Sequence, residues 1–270
     1  MKFRRYLNPS AYWRRIANFV IRCRLILGQP IRVVTHIDKY KIVFFVRSLL
    51  EYHLRARESY NREKVTMHWL RSVVGIDDVV YDIGANVGAY SLYAGKKIAQ
   101  SSGKVYAFEP AYFNFSALCQ NIIANNLNDI VTPYPLAFGS DSTPSKFFLS
   151  STIEGSALHG LSEPVSENGS FVPQFQQGIF VTTLDDFVVH NQIDFPNHIK
   201  IDVDGSEQQI LSGMKSVLTD RRMRSIMIEI NSDIGDGEIE RTIVTSGLEE
   251  VMVEKWPNKN TFNKLFVRSH

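Results

Sequence analysis

Cysteine is scarce: Cys23 and Cys119 are the only two in 270 residues. Thiols so few and so far apart give neither a disulfide framework nor a metal-ligand spacing, which excludes stapled secreted scaffolds and fits a reducing, cytoplasmic-facing compartment. Long apolar runs are also missing. The stretch Ile16 to Ile21 is broken by Asn18 and followed by Arg22 and Arg24, so nothing approaches the ~18 apolar residues of a membrane span, and the start fails as a secretory signal. No acid precedes Asp38, whereas residues 1–32 carry eight lysines or arginines. No internal repeat occurs, and hydrophobic and charged fractions are ordinary, so the chain is long enough for one large core, or one core with an appendage.

The stretch Val79 to Ser91, VVYDIGANVGAYS, organises the rest. Val79 to Tyr81 read as the end of a buried strand closed by Asp82; Gly84 to Gly88 form a tight loop, and a helix begins at Ala89. A dinucleotide loop leaves a helix N-terminus bare to meet a pyrophosphate. Here a carboxylate stands at the strand end and a third glycine is missing, which disfavours a dehydrogenase. The pattern suits a ligand bearing an ammonium and a sulfonium, namely S-adenosylmethionine. Some 25 residues beyond Gly84, a second strand, Val105 to Phe108, ends in Glu109, where a strand-end acid reaches ribose hydroxyls.

Around this centre strands and helices alternate, which predicts a parallel sheet with crossover helices. In residues 1–32 a basic amphipathic helix sets Trp13, Ile16, Ala17, Val20, Cys23 and Leu27 on one face. It is expected either to pack on the catalytic domain or to lie peripherally on an anionic membrane surface. An edge hairpin follows (Ile31 to Thr35, Lys41 to Val46), then helices near Ser48 to Arg57 and Glu63 to Val74, the second carrying His68 on its surface. A helix from Ala111 to Asn125 is expected to bury Phe115, Leu118, Ile122 and Ile123. Pro133 and Pro135 mark the strand near Ile130 to Phe138 as an edge or irregular strand. Residues 142–180, rich in Ser, Gly and Pro, read as a loop-rich insert and a substrate lid. Beyond it come a capped helix at Thr183, a strand His198 to Gly205 ending in acids, a helix Ser206 to Leu218, a strand Ser225 to Ile230, a helix Glu238 to Thr245 and two final strands. The division is an N-terminal extension, 1–74, and a catalytic domain, 75–270.

VVYDIGANVGAYSLYA, GKVYAFEP, NIIANNL, VTTLDDF, IKIDVDGSEQQILSGM, IMIEIN and NKLFVRS, in that order, resemble the FkbM-type S-adenosylmethionine-dependent methyltransferases over residues 75–268. The resemblance implies an α/β, Rossmann-like class I methyltransferase: a seven-stranded, mostly parallel sheet with helices on both faces and an antiparallel last strand. It further implies methyl transfer to an oxygen of a small-molecule or glycan acceptor. Asp204 stands where the family more often has glutamate. By the same resemblance Asp82 serves the methionine end of S-adenosyl-L-methionine, Gly84, Ala85, Asn86 and Gly88 the loop beneath it, and Glu109 with Pro110 the ribose, while Asn114 and Asp141 are candidates for the adenine side.

In an open α/β sheet the site lies beyond the carboxyl ends of the strands. A hydroxyl acceptor profits from a general base; Asp202 leads, with Glu229 and His159 as alternatives. Asp202, Asp204, Glu229 and Asn231 are weaker candidates for a divalent-metal site. The rivals are a nucleic-acid or protein N-methyltransferase and a non-catalytic binding module. The first lacks the Asn/Asp-Pro-Pro-aromatic run, since Asp202-Val203-Asp204-Gly205 has no aromatic, so no nucleic-acid partner is expected; the second is opposed by the full set of strand-end acids.

Overall fold

The computed structural model describes residues 19–191, 193–233, 237–257 and 259–269. Strands β1 (Ile31–Ile37) and β2 (Tyr40–Val46) form the expected antiparallel hairpin, turning at Asp38 with a φ of 51°. A helical segment follows, in which Glu51–Glu58 and Trp69–Val73 are π-wound and flank Ser59–Arg62 and Lys64–His68. The doubly wound part then runs β3 (Val79–Ile83), α1 (Ala89–Ile98), β4 (Lys104–Phe108), α2 (Tyr112–Ala124) and β5 (Val131–Tyr134). The insert supplies β6 (Ala137–Phe138), β7 (Thr143–Leu149), β8 (Gly160–Leu161), β9 (Val165–Ser166), β10 (Gly169–Ser170) and β11 (Phe175–Thr182). The remainder is α3 (Leu184–His190), β12 (His198–Ile201), α4 (Glu207–Ser212), α5 (Lys215–Thr219), β13 (Ser225–Asn231), α6 (Glu238–Thr245), β14 (Leu248–Lys255) and β15 (Thr261–Arg268).

Seven strands form the central sheet in the order β14-β15-β13-β12-β3-β4-β5, parallel except for β15, which runs antiparallel to both its neighbours. Strand periodicity divides the core between two faces. Val80, Val105, Ala107, Met227 and Leu265 pack with α1, α2 and the N-terminal extension. Tyr81, Ile83, Phe108, Ile201 and Ile228 pack with α3 to α6. Proline-bearing β5 is a sheet edge, as expected with Pro133 inside it and Pro135 just past its end.

Four expectations are corrected. Residues 142–180 are loop only in part: the strand-like run Lys146 to Leu149 lies in β7, which pairs with β11 over seven residues within a four-stranded sheet of order β6-β11-β7-β8. Phe147, Leu149, Ile179 and Val181 alternate inward, a pattern that serine and proline obscured. The helix expected over Ser206 to Leu218 breaks at Gly213, where a Cβ would stand 2.0 Å from the Gly139 carbonyl oxygen. On α2, Leu118 and Ile122 are buried but Ile123 is 61% exposed. In the helix over residues 19–26, Leu25 is buried and Ile21 half-buried against the core, whereas Val20 and Leu27 face solvent. The inward stripe is thus displaced from the expected one; Trp13, Ile16 and Ala17 lie outside the described residues. Among the described residues no helix is long and apolar enough to cross a membrane.

The hairpin is anchored by side-chain amides. Asn125 accepts from the Val43 amide and donates to the Val43 carbonyl, and Asn121, one turn earlier on α2, accepts from the Phe45 amide. On the free edge of β2, the Val43 amide and carbonyl and the Phe45 amide are therefore met by two asparagines rather than by a third strand.

Candidate active site

The chain reverses at the end of β3 through Gly84, whose φ is 80° and whose place a Cβ could not share, since it would lie 1.9 Å from the Asp202 carbonyl oxygen. Asn86 follows with a φ of 52°, and Gly88, with a φ of 90°, opens α1. These left-handed turns fold the loop tightly against the ends of β4 and β12. The Gly84 and Ala85 amides both donate to the Phe108 carbonyl.

Above the loop is a cavity of about 940 Å³, its mouth included, lined by Gly84, Ala85, Asn86, Glu109, Pro110, Asn114, His159, Asp202 and Asp204 among others. The topology thus brings most of the residues named from sequence to one place. Glu109 accepts from the Asn86 and Ala111 amides, 2.8 and 2.9 Å, and so holds the loop. Burial pushes its carboxyl up to about 7 against the pull of those amides. Asn114 binds the insert: its Oδ1 accepts from the Gly155 amide, and its Nδ2, like that of Asn86, donates to the Ser156 carbonyl. Asp204 accepts from the Leu158 and His159 amides. The insert is therefore stitched to the cavity rim from both sides.

Other expected residues sit differently. Asp82 does not reach the cavity wall: the pleat of β3 turns it towards α1, where Ser91 donates to Oδ2 at 2.5 Å and Lys200 lies 3.4 Å from Oδ1. Asp141 is exposed and off the wall, because after Phe138 the chain leaves for the small sheet. Glu229 is also off the wall, accepting from the Trp256 indole at 2.6 Å. His159 is buried between Phe113 and Phe147, with Nδ1 beside the Ser150 amide; burial pulls it down to about 4, so it is neutral at pH 7 and a poor proton acceptor. Among the described residues no three His, Cys, Asp or Glu side chains gather to hold a metal ion. Asp204 is spent on amides and Glu229 on Trp256, so Asp202, Asp204, Glu229 and Asn231 are not assembled into a ligand set.

Three residues escaped the sequence reading. Lys200, 1% exposed in the middle of β12, donates to Asp202 Oδ2 at 2.9 Å and lies 5.3 Å from the centre of the Tyr90 ring. Burial opposes its charge, yet Asp202, Asp82 and Glu63 together raise it above the ordinary lysine value. Glu63, from the extension, is pushed up to about 7 by burial and by Asp202. Arg55, on the π-wound helix, lines the cavity. Only Lys200 left a signal: a lysine in an otherwise apolar central strand, two residues before an acid, needs buried partners.

Residues 82–253 match the methyltransferase FkbM domain family. The chain is 26% identical to the hexuronic acid methyltransferase AglP of Haloferax volcanii over 78% of its own length and 79% of that protein. It is 25% identical to the 31-O-demethyl-FK506 methyltransferase FkbM of Streptomyces tacrolimicus over 57% of its own length and 65% of that protein. Among solved structures, the methyltransferase FkbM of Methylobacillus flagellatus KT aligns with a TM-score of 0.52 at 16% identity, over 76% of this chain and 48% of that one, a likeness of fold.

Proposed function

Since this chain belongs to the FkbM methyltransferase family, we propose that it is an S-adenosylmethionine-dependent O-methyltransferase acting on a hydroxyl of a small molecule or glycan. The observation that carries this reading is the cavity itself, in which Glu109 and Asp202, from the ends of β4 and β12, flank one glycine loop. The fit to the cofactor rests on the glycine loop, which Gly84 lets pack directly against the Asp202 backbone beneath the cavity, and on the buried Glu109 carboxyl beside it. Glu109 would accept from the ribose hydroxyls, and the loop Gly84 to Gly88, its first three amides spent on Phe108 and Glu109, would lie beneath the amino-acid portion. S-adenosylmethionine supplies the methyl group as a sulfonium-activated electrophile.

The chain's own task is to place the acceptor and take its proton. Asp202 is the base this geometry favours. Lys200 occupies its Oδ2, Oδ1 makes no hydrogen bond to a described residue, and the side chain is 30% exposed at the cavity. Asp82 serves indirectly, holding Lys200 from below. AglP and FkbM act, by their names, on a hexuronic acid and on a demethylated FK506, which supports an oxygen acceptor here.

The test is calorimetric titration with S-adenosylmethionine and with NAD, followed by transfer of labelled methyl to a panel of hydroxylated glycans. Micromolar affinity for S-adenosylmethionine alone is expected. Asp202→Asn should keep that affinity and lower kcat about 10²- to 10⁴-fold. Preference for NAD, or no binding of either, would overturn the reading.

A further inference from the structure

Each anion on the cavity wall is matched locally. Glu109 is engaged by two amides, Asp204 by two more, and Asp202 by the Lys200 ammonium. Lys200 is itself spent, lying between Asp82 and Asp202. The remaining cation on the wall is Arg55, which is half-buried. Its Nε donates to the Gly155 carbonyl at 3.0 Å, and Gly155 in turn donates to Asn114. That bond fixes the guanidinium at the rim, while its two amino groups make no hydrogen bond or ion pair to any described residue. Ser59 beside it is already committed, its hydroxyl bonded to the Leu54 and Arg55 carbonyls.

A partly desolvated, orientationally fixed and uncompensated guanidinium is matched best by a planar oxyanion taken by two parallel hydrogen bonds. Resting on the methyltransferase reading, we propose that Arg55 is a carboxylate-binding residue of this cavity. A dianionic phosphate is the poorer match: Glu109, Asp202 and Asp204 share the wall and would repel the second charge, with no further free cation among the described residues of the wall to offset it. The carboxylate has two sources, the amino-acid portion of the cofactor or a uronic-acid acceptor. Arg55 belongs to the extension and lies outside the residues matched by the family domain, 82–253, so either role is a property of this chain's own N-terminal segment.

The experiment titrates wild type, Arg55→Gln and Arg55→Lys with S-adenosylmethionine and with decarboxylated S-adenosylmethionine. It then titrates the S-adenosylhomocysteine-loaded protein with glucuronate and with glucose. Wild type should favour the carboxylate member of at least one pair by about tenfold or more. Arg55→Gln should lose that preference and Arg55→Lys regain part of it. Loss within the first pair assigns the cofactor's carboxylate; loss within the second assigns the acceptor's. Wild type with no preference in either pair, or Arg55→Gln with preferences intact, overturns the proposal. If Arg55→Gln fails to fold, Arg55→Lys carries the same comparison, and a wild type without preference overturns the proposal whatever the variants do. Wild type that binds no adenosyl ligand at all overturns the methyltransferase reading itself, and this assignment with it.

Discussion

Glu109 shows how one carboxyl combines support and recognition. Its two oxygens already carry the Asn86 and Ala111 amides, yet burial raises it to about 7. Because that value exceeds the ordinary 4.5 of an unfolded chain, the folded protein holds the proton longer. The associated stability is present below about pH 4.5 and is lost as pH rises through about 7. Ribose hydroxyls donating to the ionised form would reverse part of that loss, so ligand affinity should climb over the same interval. We expect 5′-methylthioadenosine, which carries the ribose but no amino-acid portion, to bind more tightly at pH 8 than at pH 6 by up to about tenfold. In Glu109→Gln the affinity should be lower and flat across that range. A wild-type profile without slope would show that this carboxyl does not meet the ribose.

At the scale of elements, the loop between β3 and α1 carries the tightest constraint. Gly84→Ala combines a left-handed backbone with a methyl thrust onto the Asp202 carbonyl. It should cost about 3 kcal/mol or more in urea denaturation and abolish cofactor binding; a variant of wild-type stability would contradict the contact. This loop was legible in the sequence because everything that fixes it is local: a strand end, two glycines and a helix start within thirteen residues. The Thr183 cap was legible for the same reason, its hydroxyl accepting the Asp186 amide. What stayed hidden depends on distant partners. Glu63 and Arg55 acquire meaning only when the extension is folded against strand ends more than a hundred residues away. The small sheet of the insert arises from pairing β7 with β11 across 25 intervening residues, and no local pattern announces such a register.

For the molecule as a whole, the extension and the sheet share one core. Tyr60 donates to the Ala89 carbonyl, Tyr90 donates to the Ser59 carbonyl, and the Trp69 indole donates to Ser225 at the far end of the sheet. Deleting residues 19–74 would uncover Leu92, Tyr93 and Met227 and remove Glu63 and Arg55 together. We expect such a truncation to lose cooperative thermal unfolding; a sharp, wild-type-like transition would show that the sheet stands alone.

Asn121 of α2 and Asn125 at its C-terminal cap carry a consequence for behaviour in a crowded solution. A hairpin strand with bare peptide groups along one side is a template on which another chain can add, the first step of sheet-like aggregation. Asn121 and Asn125 occupy those groups at Phe45 and Val43. Exchanging either for leucine would strand those peptide groups without partners, and the loss is expected both as a lower melting temperature and as turbidity on concentration, when the loosened edge becomes open to a second chain.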